Sequence, residues 1–145
     1  MPTLDLRATI PAPVELVYEV VADVERYAEF LPDVSAVEKK DDIVGMTLSA
    51  GLLSARLVTR AGFDPPRTID LEQVHGPFRR FSGRWTFTPR ADGSTEVAYH
   101  ADYEMPLLGA LFGGPAHALL ERQTQRQISA FEARVCELAA LRKPT

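Results

Sequence analysis

The C-terminal part of the chain carries one long, uninterrupted helical pattern. Gly114-Pro115 is a typical helix start, because proline is tolerated in the first turn, where its missing N–H would be unpaired anyway. No proline or glycine follows until Pro144. The pattern predicts a helix over about 115–141, roughly 40 Å long. Apolar residues recur along it with a spacing near 3.6 and form a single stripe that needs a wide apolar partner surface: Ala116, Leu120, Ile128, Phe131, Val135 and Leu138.

The preceding sequence alternates with a period of two, which is typical of strands with one buried face. The first strand places Leu4, Leu6, Ala8 and Ile10 on one side. Turn residues divide the segment from Asp33 to Met105 into further strands, and the short connections favour an antiparallel meander. The six strands are predicted at about 34–41, 43–50, 53–63, 67–75, 80–89 and 95–105.

Two short helices are predicted between the first strand and the meander. Pro11-Ala12-Pro13 ends the strand, and the spacing of the apolar residues from Val14 to Val21 indicates a short amphipathic helix. Asp23 is the predicted N-cap of a second helix that runs from Val24 to Leu31. We therefore predict one α+β domain over residues 1–145. Its fold is a helix-grip, in which a seven-stranded curved antiparallel sheet wraps around the long C-terminal helix.

A curved sheet and a straight helix do not fit flush, so we expect a hydrophobic cavity between them. Gln127 interrupts the apolar stripe, and its amide needs a partner such as Gln73, an internal water or a polar group of a ligand. The alternative is that the aromatic side chains form plain core. The predicted ligand-binding residues are Tyr27, Phe30, Phe63, Trp85, Phe87, Tyr99, Tyr103, Leu120, Thr124, Gln127 and Phe131.

An apolar, glycine-flanked stretch precedes the long helix, from Pro106 to Gly114. Together with Gly76-Pro77-Phe78, this stretch is expected to form a flexible rim through which an apolar ligand enters. The alternative is that the stretch from Pro106 to Gly114 forms a short helix that covers the end of the core.

Charge and cysteine content restrict the range of partners. The net charge of −4 argues against a DNA-binding protein, and the single cysteine, Cys136, excludes an internal disulfide. Residues 51–90 nevertheless carry seven arginines against three acids. Arg56, Arg60 and Arg84 are therefore either a solvated strand face or a docking patch for the ribosome or another anionic surface. No signal peptide or transmembrane segment is recognisable, so a cytoplasmic location is expected.

The sequence shows no catalytic or metal-binding constellation. His75, His100 and His117 have no neighbours at metal-ligand spacing, and nucleophile-elbow and phosphate-loop motifs are missing. We therefore predict no catalytic residue, no metal and no cofactor. If the protein is an enzyme, Tyr99 and Tyr103 are the only modest candidates for acid–base catalysis.

Two stretches resemble a known family: Asp23–Pro32 (DVERYAEFLP) and Gly76–Pro89 (GPFRRFSGRWTFTP). They are similar to the polyketide cyclase/dehydrase-like, coenzyme Q-binding family of the START-like, helix-grip superfamily, which includes a ribosome-associating toxin. The resemblance runs from about Leu4 to Leu138. It implies binding or carriage of a lipid, an isoprenoid quinone or a polyketide-like molecule. The alternatives are a cyclase or aromatase that uses the same cavity and a regulator that interacts with the ribosome.

Overall fold

The computed structural model describes residues 3–50, 53–104 and 113–142. Seven β-strands and three α-helices make up this part of the chain. The strands are β1 (Thr3–Ile10), β2 (Val34–Lys40), β3 (Ile43–Ala50), β4 (Leu53–Asp64), β5 (Thr68–His75), β6 (Arg80–Pro89) and β7 (Thr95–Glu104). The helices are α1 (Val14–Ala22), α2 (Tyr27–Phe30) and α3 (Gly113–Arg142), with a 3-10 turn at Val24–Arg26.

The strands form one antiparallel sheet in the order β1-β7-β6-β5-β4-β3-β2. Strands β2 to β7 are therefore a meander, as their short connections predict. β1 joins the far edge beside β7, with Leu6 opposite Tyr99. The predicted α+β helix-grip, with seven strands and a long C-terminal helix, is confirmed.

The period-2 pattern decides which face of the sheet is covered. In β7 the side chains of Val97, Tyr99, Ala101 and Tyr103 are buried, whereas His100 between them is exposed. Because alternate residues of a strand point to opposite faces, this burial pattern assigns the aromatic residues of β6 and β7 to the face that α3 covers.

Helices α1 and α2 connect the two edges of the sheet. The Tyr18 hydroxyl donates to the Thr68 carbonyl at 2.9 Å, and the buried Tyr27 hydroxyl donates to the Val21 carbonyl. Asp23 occupies the predicted N-cap position, but its carboxylate makes no capping bond and instead lies 3.0 Å from Nε of Arg26. The second helix is also shorter than predicted, because its first turn is the 3-10 turn at Val24–Arg26.

Helix α3 matches the predicted amphipathic rod. Ile128, Phe131 and Val135 are buried, and Leu138 is half-buried next to them. The Arg126 guanidinium forms an ion pair with Asp33, which ties the middle of α3 to the loop before β2. The predicted apolar stretch before the helix, residues 106–112, and the end of the last predicted strand at Met105 lie outside the described residues. Among the described helices, none is long and apolar enough to cross a membrane.

Candidate ligand-binding cavity

An apolar cavity of about 130 Å³ lies between the covered face of the sheet and α3. Every strand except β2 contributes side chains to its described lining, as do the 3-10 turn, α2 and α3. The cavity thus lies where the sequence predicts space between a bent sheet and a straight helix.

Eight of the eleven predicted ligand-binding residues line this cavity. They come from α2, from the adjacent strands β6 and β7 and from one side of α3, and the fold brings them together across more than a hundred residues of sequence. They are Tyr27, Trp85, Tyr99, Tyr103, Leu120, Thr124, Gln127 and Phe131.

Two predicted aromatic residues, Phe87 and Phe63, lie on the covered face of the sheet but outside the cavity lining. The Phe87 ring packs edge-on against Tyr18 of α1, with ring centroids 5.1 Å apart. Phe63, near the end of β4, lies half-buried below the Lys39 ammonium, 4.8 Å from the ring centroid. Both residues have the inward orientation that the alternation predicts. Phe87 lies outside the lining where α1 packs against β6.

The third predicted residue outside the lining, Phe30, lies behind the cavity wall. Its ring contacts Tyr27 and Phe131 with centroid distances of 6.3 and 5.8 Å, and the Arg134 guanidinium covers it at 5.6 Å. Phe30 therefore supports two residues of the wall without reaching the cavity itself.

Sequence reasoning missed more than half of the described lining. Most of the missed residues are aliphatic and lie at strand positions whose side chains face the helix, so the alternation of apolar and polar residues could have identified them. Phe78 lies in a turn and gave no periodic signal, and the sequence suggested it only as part of a possible rim with Gly76-Pro77. The additional lining residues are Leu4, Val24, Leu31, Val44, Met46, Leu48, Leu57, Thr59, Ile69, Leu71, Phe78, Phe81 and Gln123.

A group of aromatic rings forms one wall. The Trp85 and Tyr99 rings face each other across β6 and β7 with centroids 4.5 Å apart. The edge of Phe131 meets Trp85 at 5.6 Å and Tyr27 at 5.3 Å, both in T-shaped arrangements. Such contacts stabilise beyond simple burial and hold each ring in a fixed orientation.

Some polar side chains at the cavity find hydrogen-bond partners within the protein and others do not. The Thr124 hydroxyl donates to the Leu120 carbonyl at 2.8 Å, a back-bond within the helix. The Gln73 amide is engaged with the backbone of Phe78, so the predicted Gln73–Gln127 pairing does not form. In the described part of the chain, no hydrogen-bond partner is found for the Gln127 amide.

The tyrosines of the cavity stay protonated over the physiological range. Burial raises the pKa of the Tyr27 and Tyr99 phenols far above the ordinary value. Burial also raises the pKa of Tyr103, and the Glu121 carboxylate adds to that effect. At neutral pH these hydroxyls can donate a hydrogen bond but cannot act as bases.

The three arginines of the possible docking patch each lie next to a carboxylate on the outer face of the sheet. Arg56 lies 2.6 Å from Glu38, Arg84 lies 2.5 Å from Asp70, and Arg60 lies 3.6 Å from Asp42. All three arginines are exposed and paired with carboxylates. The pairing supports the solvated-face interpretation over the anion-docking patch.

Comparison with known proteins agrees with this architecture. Residues 10–132 match the family described as polyketide cyclase/dehydrase and lipid transport. The ribosome association toxin RatA of Pseudomonas aeruginosa is 32% identical over 130 residues, which cover 82% of this chain and 90% of that protein.

Solved structures reproduce the fold at lower identity. The Zhui aromatase/cyclase from Streptomyces sp. R1128 superimposes with a TM-score of 0.83 at 22% identity, covering 92% of this chain and 93% of that one. A START superfamily protein from Mycobacterium smegmatis gives 0.80 at 18% identity, with coverage of 94% and 98%. Given the match over residues 10–132, this chain belongs to the polyketide cyclase/dehydrase and lipid transport family.

Proposed function

We propose that this protein binds a small hydrophobic molecule in the cavity between the sheet and α3. The observation that carries the proposal is an unfilled apolar space with a wall of interlocked aromatic rings, whereas protein interiors normally leave few voids. Burial of the apolar surface of the ligand would supply most of the affinity, at about 25 cal/mol per Å² before ordering costs. The lipid-transport description of the family supports the same function.

The size of the cavity limits what it can hold. The volume of about 130 Å³ is below the range of typical drug-sized sites, roughly 300–1,000 Å³, and close to that of an engineered cavity of about 150 Å³ that binds benzene. A single ring or a short chain therefore fits. A longer molecule would have to extend past lining residues that are only half-buried, such as Leu48, Phe78 and Leu120.

The test compares two phenylalanine substitutions on α3. In Thr124→Phe the new ring projects from the cavity lining and fills the space, whereas in Gln125→Phe it projects from the exposed face of the same helix. With benzene as the probe, we expect the unfolding temperature of the wild type and of Gln125→Phe to rise by mass action, and that of Thr124→Phe to stay unchanged.

Native mass spectrometry of the purified protein gives an independent readout. We expect a co-purifying apolar molecule in the wild type and in Gln125→Phe, and its loss in Thr124→Phe. Equal responses of the two variants to benzene, with no molecule retained by the wild type, would rule out this cavity as a ligand site.

A cyclase or aromatase reaction in the same cavity is the weaker alternative. The described lining contains no carboxylate, lysine or histidine, and burial keeps the Tyr99 phenol protonated. Turnover of a polyketide substrate that disappears in Tyr99→Phe would support this alternative over binding alone.

We propose ribosome association as a second function. It is supported by the 32% identity to a ribosome association toxin. Cosedimentation of the purified protein with ribosomal particles at increasing salt tests it, because contacts to phosphates weaken steeply as salt rises. Failure to cosediment at low salt would exclude it. The expected cytoplasmic location fits both functions and stays a prediction.

A further inference from the structure

Two buried residues of the cavity wall carry a hydroxyl group without a hydrogen-bond partner in the described part of the chain. Thr59 on β4 is 5% exposed and Tyr99 on β7 is 8% exposed, and neither hydroxyl bonds another group in the described part of the chain. Buried polar groups are normally satisfied, because an unpaired one loses its bonds to water without replacement.

The same hydroxyls retain access to open space. Among the described residues, no side-chain nitrogen or oxygen is both unpaired and sealed from solvent or open space. Since both residues line the cavity, the space that their hydroxyls reach is the cavity itself. They are therefore available to a molecule inside it.

A third available group comes from the helix. Gln127 lines the cavity from α3, and its amide offers both a donor and an acceptor. The cavity thus offers the Thr59 and Tyr99 hydroxyls from the sheet and the Gln127 amide from the helix, where Gln123 adds a second amide to the lining. The remaining polar groups of the described lining are the hydroxyls of Tyr27, Tyr103 and Thr124.

Formal charges are missing from the described lining, which contains only neutral side chains. An anion inside would find neither a lysine nor an arginine to compensate its lost hydration, which is very costly.

We infer that the molecule bound in this cavity is uncharged and carries a hydroxyl or carbonyl group, and that carboxylates and phosphates are excluded. Thr59, Tyr99 and Gln127 would recognise the oxygen, while the rings of Trp85 and Phe131 contact the apolar part. This inference rests on the proposed binding function and specifies the chemical class of its ligand.

Three ring compounds of similar size test it: phenol, toluene and benzoate. A purely apolar cavity prefers toluene, because phenol must give up its hydrogen bonds to water. We expect the reverse order here, with phenol bound about 3–10-fold more tightly than toluene, as one or two net hydrogen bonds provide. Benzoate is expected to bind at least about 100-fold more weakly than phenol.

Binding is measured by calorimetry and by the indole N–H resonance of Trp85, the single tryptophan of the chain. Thr59→Val keeps the β-branched shape and removes the hydroxyl, and Gln127→Leu removes the amide. The double variant is expected to prefer toluene. Thr88→Val, on the exposed face of β6, serves as the matched control and should keep the wild-type preference.

The outcomes separate this inference from the function on which it rests. Toluene bound more tightly than phenol by the wild type, benzoate bound as well as phenol, or an unchanged preference in the double variant would each overturn the inference and leave hydrophobic binding in place. If none of the three probes binds and Thr124→Phe responds like the wild type, the binding function fails and the inference fails with it.

Discussion

The side-chain amide of Gln73 holds the backbone of Phe78 through two hydrogen bonds. Its Nε2 donates to the Phe78 carbonyl at 2.8 Å, and the Phe78 N–H donates to its Oε1 at 3.2 Å. The pairing of β5 with β6 ends at Glu72 and Ser82, so this side chain replaces the strand ladder in the wide turn that follows. The Phe78 ring is thereby positioned on Phe81, 5.1 Å away, and in the cavity wall.

Removal of this amide should loosen the turn. We expect Gln73→Ala to lower the free energy of unfolding by about 1–3 kcal/mol, because two partly buried backbone groups lose their partner. At roughly 2–4 °C per kcal/mol, the unfolding temperature falls measurably. Hydrogen exchange should show lost protection at the Phe78 amide. Glu72→Ala, an exposed neighbour, is the control, and equal exchange in both variants would show that Gln73 does not hold the turn.

Phe131 joins α3 to the aromatic wall. Its side chain is 2% exposed and contacts the rings of Tyr27, Phe30 and Trp85. We expect Phe131→Ala to cost about 3–5 kcal/mol in urea unfolding, as is usual for a fully buried phenylalanine. Leu138→Ala, in a half-buried position of the same helix, should cost clearly less. Similar losses in the two variants would contradict a central role of Phe131.

Two glycines should respond to alanine with opposite signs. A Cβ at Gly83 would lie 3.1 Å from Oη of Tyr99, whereas one at Gly62 meets nothing closer than Cβ of Asp70 at 3.8 Å. Gly83→Ala forces the phenol to move and should destabilise by about 1–3 kcal/mol. Gly62→Ala should be neutral or stabilise by up to about 1 kcal/mol, because the unfolded chain loses freedom. The unfolding temperatures of both variants test this prediction. If both substitutions change stability in the same direction, Tyr99 does not approach Gly83 closely.

Protonation of His100 should stabilise the contact between β1 and β7. Its Nδ1 lies 2.7 Å from an oxygen of Asp5, and the hydrogen bond to Asp5 raises the pKa of His100 above its ordinary value, with a smaller contribution from Asp102. Because the folded pKa is the higher one, the added stability is fully present below about pH 6.5 and is lost as the pH rises through the folded pKa.

The measurement is urea unfolding of the wild type and of His100→Gln across that pH range. We expect the stability difference between them to shrink as the pH rises and to weaken in high salt, since both side chains are exposed. Asp5→Asn should remove most of the pH dependence. A difference that is constant with pH would contradict the ion pair.

The main elements could be predicted because each depends on a local pattern. The alternation from Thr95 to Glu104 predicted β7, and the 3.6-residue spacing predicted α3 with Ile128, Phe131 and Val135 as its buried stripe. Local patterns also assigned Trp85 and Tyr99 to the covered face, where their rings now meet. Asp23 lies at the predicted N-cap position, but its carboxylate pairs with Arg26 and makes no capping bond.

The sequence by itself determined which residues form strands and helices and which side chains face the helix, because periodicity acts over a few neighbouring residues. Only the tertiary structure decided where along the sheet the cavity lies: α1 packs against one end, so Phe87 contacts Tyr18 while Trp85 borders open space. It also decided that Arg56, Arg60 and Arg84 meet carboxylates and that the Thr59 and Tyr99 hydroxyls meet no partner in the described chain. These outcomes depend on distances between residues far apart in sequence, which no local pattern encodes.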